Sequence, residues 1–110
     1  MAYDEELAVR VRAALEDEAG LTEQRMFGGL AFLIDGNMAV SASGQGGLLL
    51  RVDPAETDAL IKKPRAQRFV MRGREMNGWL HIEADAGTTT RELRRWIALG
   101  VAYARSLPPK

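Results

Sequence analysis

Apolar residues recur at helical spacing near both ends of the chain. In residues 4–19 and again in residues 90–107 they return every three or four positions, which gathers them on one face of a helix. Gly20 can close the first helix in the left-handed conformation. Thr89 and Glu92 have the spacing of a capping box before the second, and Gly100 leaves room there for close packing. The pattern therefore predicts a helix at each end.

Between these helices the hydrophobic period shortens to two. In residues 25–52 the Asp35-Gly36 pair and the glycine-rich run 44–47 separate three alternating segments, which predicts a three-stranded antiparallel meander. Asp53 followed by Pro54 indicates the start of a helix, kept short by Pro64. Two more strands are predicted at residues 68–72 and 79–84, with a turn-prone stretch at 73–78 between them.

The order α-βββ-α-ββ-α predicts one α+β domain over residues 1–110. We expect a two-layer sandwich, in which a five-stranded antiparallel sheet carries the helices mainly on one face. Strand alternation assigns the larger apolar side chains to the helix-covered face: Leu30, Phe32, Ile34, Met38, Val40, Leu48, Leu50 and Ile82. The opposite face then receives Ala31, Leu33, Ala39, Leu49 and Trp79.

Composition places the chain among ordinary globular proteins. Of its 110 residues 46% are hydrophobic and 27% charged, and the 15 basic residues balance the 15 acidic ones. That balance argues against a general nucleic-acid binder. The absence of cysteine excludes disulfides, thiolate metal sites and cysteine nucleophiles. The acidic start is not that of a signal peptide, and no run approaches the ~18 apolar residues of a membrane span, so we expect a cytoplasmic protein without membrane contact.

Several motifs resemble the TfoX/Sxy amino-terminal domain family. They are the run Met26-Phe27-Gly28-Gly29-Leu30-Ala31-Phe32, the run Asp35-Gly36-Asn37-Met38-Ala39, Leu50-Arg51-Val52, Met76-Asn77-Gly78-Trp79, and the closing stretch 103–110. The resemblance implies an α+β fold of the type III secretion chaperone kind, with three helices on one antiparallel sheet. It also implies a bacterial regulatory role linked to competence and DNA uptake, and it carries over no catalytic residue. The carboxy-terminal domain of the family's namesakes is expected to be missing here.

Candidate chemistry is sparse. His81 is the single histidine, and Glu83 lies two residues beyond it on the same predicted strand face, about 6.6 Å along the chain. Neither Ser41 nor Ser43 has the setting of an activated nucleophile. No metal-binding or phosphate-binding motif is present. We therefore predict no catalytic residue, no cofactor and no metal ligand, and interpret His81 as a surface or interface residue.

One basic segment is the best candidate for contact with an anionic partner. It contains six cations and no acidic residue: Lys62, Lys63, Arg65, Arg68, Arg72 and Arg74. Arg91, Arg94 and Arg95 join this patch if the last helix begins nearby. A solvated, salt-bridged surface is the alternative, because Phe69 is the one aromatic residue interleaved with these cations.

The second sheet face carries the main functional hypothesis. Its apolar content, with Leu33, Leu49, Trp79 and His81 together, favours a protein interface, formed either with a partner or in a homodimer. The alternative is that another part of the chain folds over this face. The sequence thus predicts a non-enzymatic regulatory or adaptor module acting through protein contacts. The alternatives are a nucleic-acid-associated regulator using residues 62–74 and an enzyme of unrecognised type.

Overall fold

A computed structural model describes residues 3–26 and 28–109. Met1, Ala2, Phe27 and Lys110 belong to the predicted domain 1–110 but lie outside the described residues. The described part contains the helices α1 (Glu5–Leu15), α2 (Thr57–Leu60) and α3 (Thr90–Ser106), with a short 3-10 turn, Pro54–Glu56, before α2. Its strands are β1 (Leu21–Met26), β2 (Gly29–Ile34), β3 (Asn37–Ala42), β4 (Leu48–Arg51), β5 (Ala66–Met71) and β6 (Arg74–Ile82).

The described strands form one antiparallel sheet of six members in the order β1-β2-β3-β4-β6-β5. The α+β class is confirmed, but the prediction of five strands in the order α-βββ-α-ββ-α is wrong. The missed strand is β1, which pairs with β2 from Leu21↔Ile34 to Met26↔Gly29. Its four central residues are all exposed, so neither face of the strand is covered there. It therefore lacks the alternation by which a half-buried strand is recognised.

Helix α1 begins at Glu5, within one residue of the predicted start, and ends earlier than expected. The carboxylate of Asp4 accepts a hydrogen bond from the backbone N–H of Leu7 at 3.1 Å, which satisfies one free donor of the first turn. Regular helix stops at Leu15 rather than at Ala19. Gly20 has the expected positive φ of +75°, but it lies four residues beyond the C-cap Glu16 and does not close the helix. Its carbonyl accepts from the N–H of Asp35, and the chain enters β1 at the next residue.

Helix α3 packs its apolar stripe directly on the sheet. Thr89 caps it by accepting from the N–H of Glu92 at 3.1 Å. A Cβ on Gly100 would collide with the carbonyl oxygen of Ala39 and lie 2.8 Å from the side chain of Leu50. The close approach predicted at Gly100 is thus confirmed, and its neighbour is the backbone of β3. With α1 and Leu60 of α2, this helix buries the main hydrophobic core against one face of the sheet.

A β-bulge changes which residues of β3 face the helices. Phe32 pairs with Val40, but the next pair is Leu33 with Met38, so Ala39 is an extra residue in the ladder. Because side chains alternate across a strand, the extra residue moves Met38 to the far face, while Ala39 lies in the helix-side core. The assignment of Met38 to the helix face and Ala39 to the other is therefore wrong.

The β5–β6 hairpin is longer than its pattern indicates. Its turn is Arg72-Gly73, where both residues have positive φ, and β6 begins immediately at Arg74. The expected loop over residues 73–78 is thus mostly strand. Residues 74–77 are all exposed, so they show no hydrophobic alternation. Gly78, which has φ of +87°, is a residue that indicates a turn when only the sequence is known.

An ion pair joins α1 to the edge strand β1. The guanidinium of Arg12 donates to both carboxylate oxygens of Glu23, at 2.7 and 2.8 Å. These hydrogen bonds hold the pKa of Glu23 below its ordinary value, although desolvation opposes them. The lowered pKa couples the stability of this corner of the fold to pH.

We expect Glu23→Gln to remove a pH-dependent part of the stability. Because folding lowers this pKa, the carboxylate stabilises the protein above the ordinary glutamate value of 4.5 and loses that effect as the pH falls through the lowered value. Melting temperatures of the wild type and the variant should therefore differ near pH 7 and converge in acid. Glu16→Gln, at the exposed end of α1, is the matched control. An equal gap between wild type and E23Q at both pH values would contradict the assignment.

Candidate ligand-binding cleft

Most of the apolar side chains on the second sheet face are buried by contacts within the chain. Leu33 is 9% exposed and Leu49 is 5% exposed. They form a small cluster with Ala31, Met38 and Phe69, and Met26 and Trp79 pack against it as its half-buried rim. Of the apolar residues in the predicted interface, only Trp79 therefore offers accessible surface. Phe69 in this cluster comes from β5, which lies two strands from β4 in the sheet.

His81 anchors a loop. One ring nitrogen, Nε2, lies 2.8 Å from the carbonyl oxygen of Gly46, and the other, Nδ1, lies 3.5 Å from the side-chain nitrogen of Gln67. A neutral ring protonated on Nε2 satisfies both contacts, since it donates to the carbonyl and accepts from the amide. Both nitrogens thus have contacts within the chain, which gives the histidine a structural role under the glycine-rich loop.

An arginine between two aromatic rings is a feature that the pattern did not indicate. The guanidinium of Arg51 lies 5.4 Å from the ring centroid of Trp79 and 5.6 Å from that of Tyr103. Both distances are within the range of cation–π attraction. Trp79 is paired with Arg51 in the ladder between β4 and β6, so the strand register brings two of the three groups together.

The predicted basic segment does not form one patch. Arg65 pairs with Glu92 at 3.3 Å, and Arg68 pairs with Asp58 and also donates to Asn77. Two of the six cations are therefore partly neutralised. Arg72 and Arg74 are exposed at the tip of the β5–β6 hairpin, whereas Lys62 and Lys63 belong to the turn after α2.

A cleft of about 520 Å³ lies between the turn after α2 and the first half of α3. Its size lies within the ~300–1,000 Å³ typical of ligand sites. We call it the α2–α3 cleft, and its lining residues are Leu60, Lys63, Pro64, Thr89, Arg91, Glu92, Arg95, Trp96 and Leu99.

The floor of the α2–α3 cleft is apolar and its rim is basic. Leu60 and Trp96 are 8% and 5% exposed, so they present small apolar surfaces at the bottom. Lys63, Arg91 and Arg95 are exposed at the rim. No salt bridge within 4.0 Å joins these three cations to another residue in the described part of the chain.

The cations of this cleft were predicted from the sequence, but its floor was not. Arg91 and Arg95 were expected to join the basic segment if α3 began nearby, and through Lys63 they do. Arg94, in contrast, lines a separate groove between α1 and α3, which Arg105 also lines. The sequence pattern assigns Trp96 to the apolar stripe of α3. Leu60 lies across the cleft from Trp96 because of the position of α2 against α3, and no local sequence pattern indicates that position.

Residues 3–26 and 28–109 contain no cluster of three or more histidine or carboxylate side chains arranged to hold a metal ion. No helix in the same ranges has the length and apolar character needed to span a bilayer.

The fold is that of a small α+β domain, and the α2–α3 cleft is an open cavity with an apolar floor. The family model of the TfoX N-terminal domain matches residues 13–104, which is most of the chain. The chain therefore belongs to the TfoX N-terminal domain family. Neither the curated proteins nor the solved structures contain a match.

Proposed function

We propose that this domain is a non-enzymatic regulatory module that acts by holding a segment of a partner protein in the α2–α3 cleft. Family membership supports a regulatory role related to competence. The observation that carries the proposal is the cleft itself, in which a concave apolar floor is bordered by three cations that have no salt-bridge partner among the described residues. Interfaces commonly combine such a desolvated centre with a polar rim.

The cleft supports protein contact better than the second sheet face does. Burial does not separate the two surfaces, because Leu33 and Leu49 on that face are exposed to the same small extent as Leu60 and Trp96 in the cleft. The cleft differs in carrying three exposed cations at its rim, which are available without rearrangement of the core. Preformed sites bind with a smaller ordering cost than sites that must open first.

A photo-crosslinking amino acid at position 63, introduced in the native host, tests this function. Lys63 lines the cleft and is exposed, so a bound partner lies within reach of it. We expect a discrete covalent adduct to a protein from position 63. The matched control is position 94, whose arginine is also exposed but lines a different groove. No adduct from position 63, the same adduct from both positions, or an adduct to nucleic acid would overturn the proposal.

A further inference from the structure

We infer that the segment held in the α2–α3 cleft is an acidic peptide with one large apolar side chain. This inference rests on the proposed function and adds the chemistry of the occupant. Its two parts come from the two regions of the cleft, the floor and the rim.

The floor selects an apolar side chain. Leu60 and Trp96 belong to the main core, and Leu99 packs against that core from its half-buried position. Their remaining surface lies at the bottom of a concave site, where water can be displaced by a side chain of the partner. Burial of apolar area is favourable, so a leucine or an aromatic residue gains more here than a polar one.

The rim selects negative charge. The one carboxylate that lines the cleft, Glu92, is already paired with Arg65, so it does not compensate Lys63, Arg91 and Arg95. The site also lies at the amino-terminal end of α3, a helix of 17 residues, where the helix dipole adds partial positive charge. A basic or neutral peptide would leave these cations uncompensated, whereas carboxylates would form charge-assisted hydrogen bonds with them.

The spacing of the two arginines fits carboxylates on a peptide. Arg91 and Arg95 are four residues apart on α3, so they lie on the same side of the helix about 6 Å apart along its axis. Carboxylates two residues apart on an extended strand are about 6.6 Å apart. An extended segment can therefore present carboxylates to both guanidiniums.

A nucleic acid fits the cleft less well. Proteins that bind single strands stack the bases on accessible aromatic faces, but Trp96 is only 5% exposed. The phosphates of a nucleic acid would remain solvated at the rim, so they would not contact the apolar floor. The combined chemistry of floor and rim thus favours a peptide.

The test is fluorescence anisotropy with a short, capped and labelled peptide that carries one phenylalanine between two pairs of glutamates. Two comparison peptides change one property each: in one the glutamates become glutamines, and in the other the phenylalanine becomes alanine. We expect each change to weaken binding at least tenfold. Arg95→Glu in the protein should weaken binding of the original peptide to a similar extent, whereas Arg94→Glu should not.

Equal binding of the glutamine peptide, or binding that Arg95→Glu leaves unchanged, would overturn the inference. So would a single-stranded oligonucleotide that binds the cleft as tightly as the acidic peptide does. The outcome is distinguishable from failure of the proposed function. A protein adduct from position 63 without preference for the acidic peptide would leave the partner contact standing and remove only its assigned chemistry.

Discussion

Gly100→Ala is expected to destabilise the protein by about 1–3 kcal/mol, the range for overpacking a close contact. Helix propensity alone predicts the opposite sign, because alanine is favoured over glycine inside a helix by about 1 kcal/mol. The difference arises because the new Cβ would collide with the carbonyl oxygen of Ala39 and lie close to Leu50. The helix would have to move away from β3, and it carries much of the core with it.

Thermal and urea unfolding of Gly100→Ala measure this effect. For a domain of about this size, each kcal/mol lowers Tm by roughly 4–8 °C. Ala98→Gly, at an exposed position of the same helix, serves as the propensity control and should cost about 1 kcal/mol. If Gly100→Ala instead raised the stability by the amount that propensity predicts, α3 would not lie against β3 as described.

The double variant Arg91→Glu, Arg95→Glu is expected to weaken partner binding by about 100-fold or more. Each lost hydrogen bond to a charged group costs about 1.5–3 kcal/mol, and the new carboxylates would repel those of the partner. The fold should be preserved, because both side chains are exposed and acidic residues are favourable near the amino terminus of α3. The yield of the adduct from position 63 and the affinity for the acidic peptide both report the change.

Two comparisons keep the charge-reversal result interpretable. Arg94→Glu changes the same charge on the same helix but outside the cleft, so it should retain binding. Circular dichroism and the melting temperature establish that the double variant is folded. A folded double variant that still yields the wild-type amount of adduct would contradict the role of the cleft rim.

Residues with a local physical role could be predicted from the sequence. Asp53 and Thr89 cap helical turns through short-range hydrogen bonds that their spacing in the sequence indicates. The Asp35-Gly36 turn was also predictable, since both residues adopt the positive φ that such a hairpin requires. These features depend on neighbours within a few positions.

Features that depend on tertiary contacts were missed. The four central residues of β1 are exposed on both faces of the strand, so its pairing with β2 leaves no hydrophobic pattern. The bulge at Ala39 has no turn residue to mark it, yet it moves Met38 to the opposite face. Leu33 and Leu49 are buried in a cluster that includes Phe69 from β5, and strand alternation cannot indicate this contact.

The candidate site was predictable only in its charges. Basic residues at 63, 91 and 95 are visible in the sequence, but the segments that carry them are about 30 residues apart and meet only when α2 and α3 dock. The ion pairs of Arg65 and Arg68 likewise require the folded chain, because their partners Glu92 and Asp58 lie on other elements.

Mass spectrometry of the segment joined to position 63 tests the central claim most directly, because it identifies what the cleft holds in the cell. The α2–α3 cleft predicts a protein segment in which a leucine or an aromatic residue stands among aspartates and glutamates. A segment rich in lysine or arginine, or a nucleotide, would contradict it.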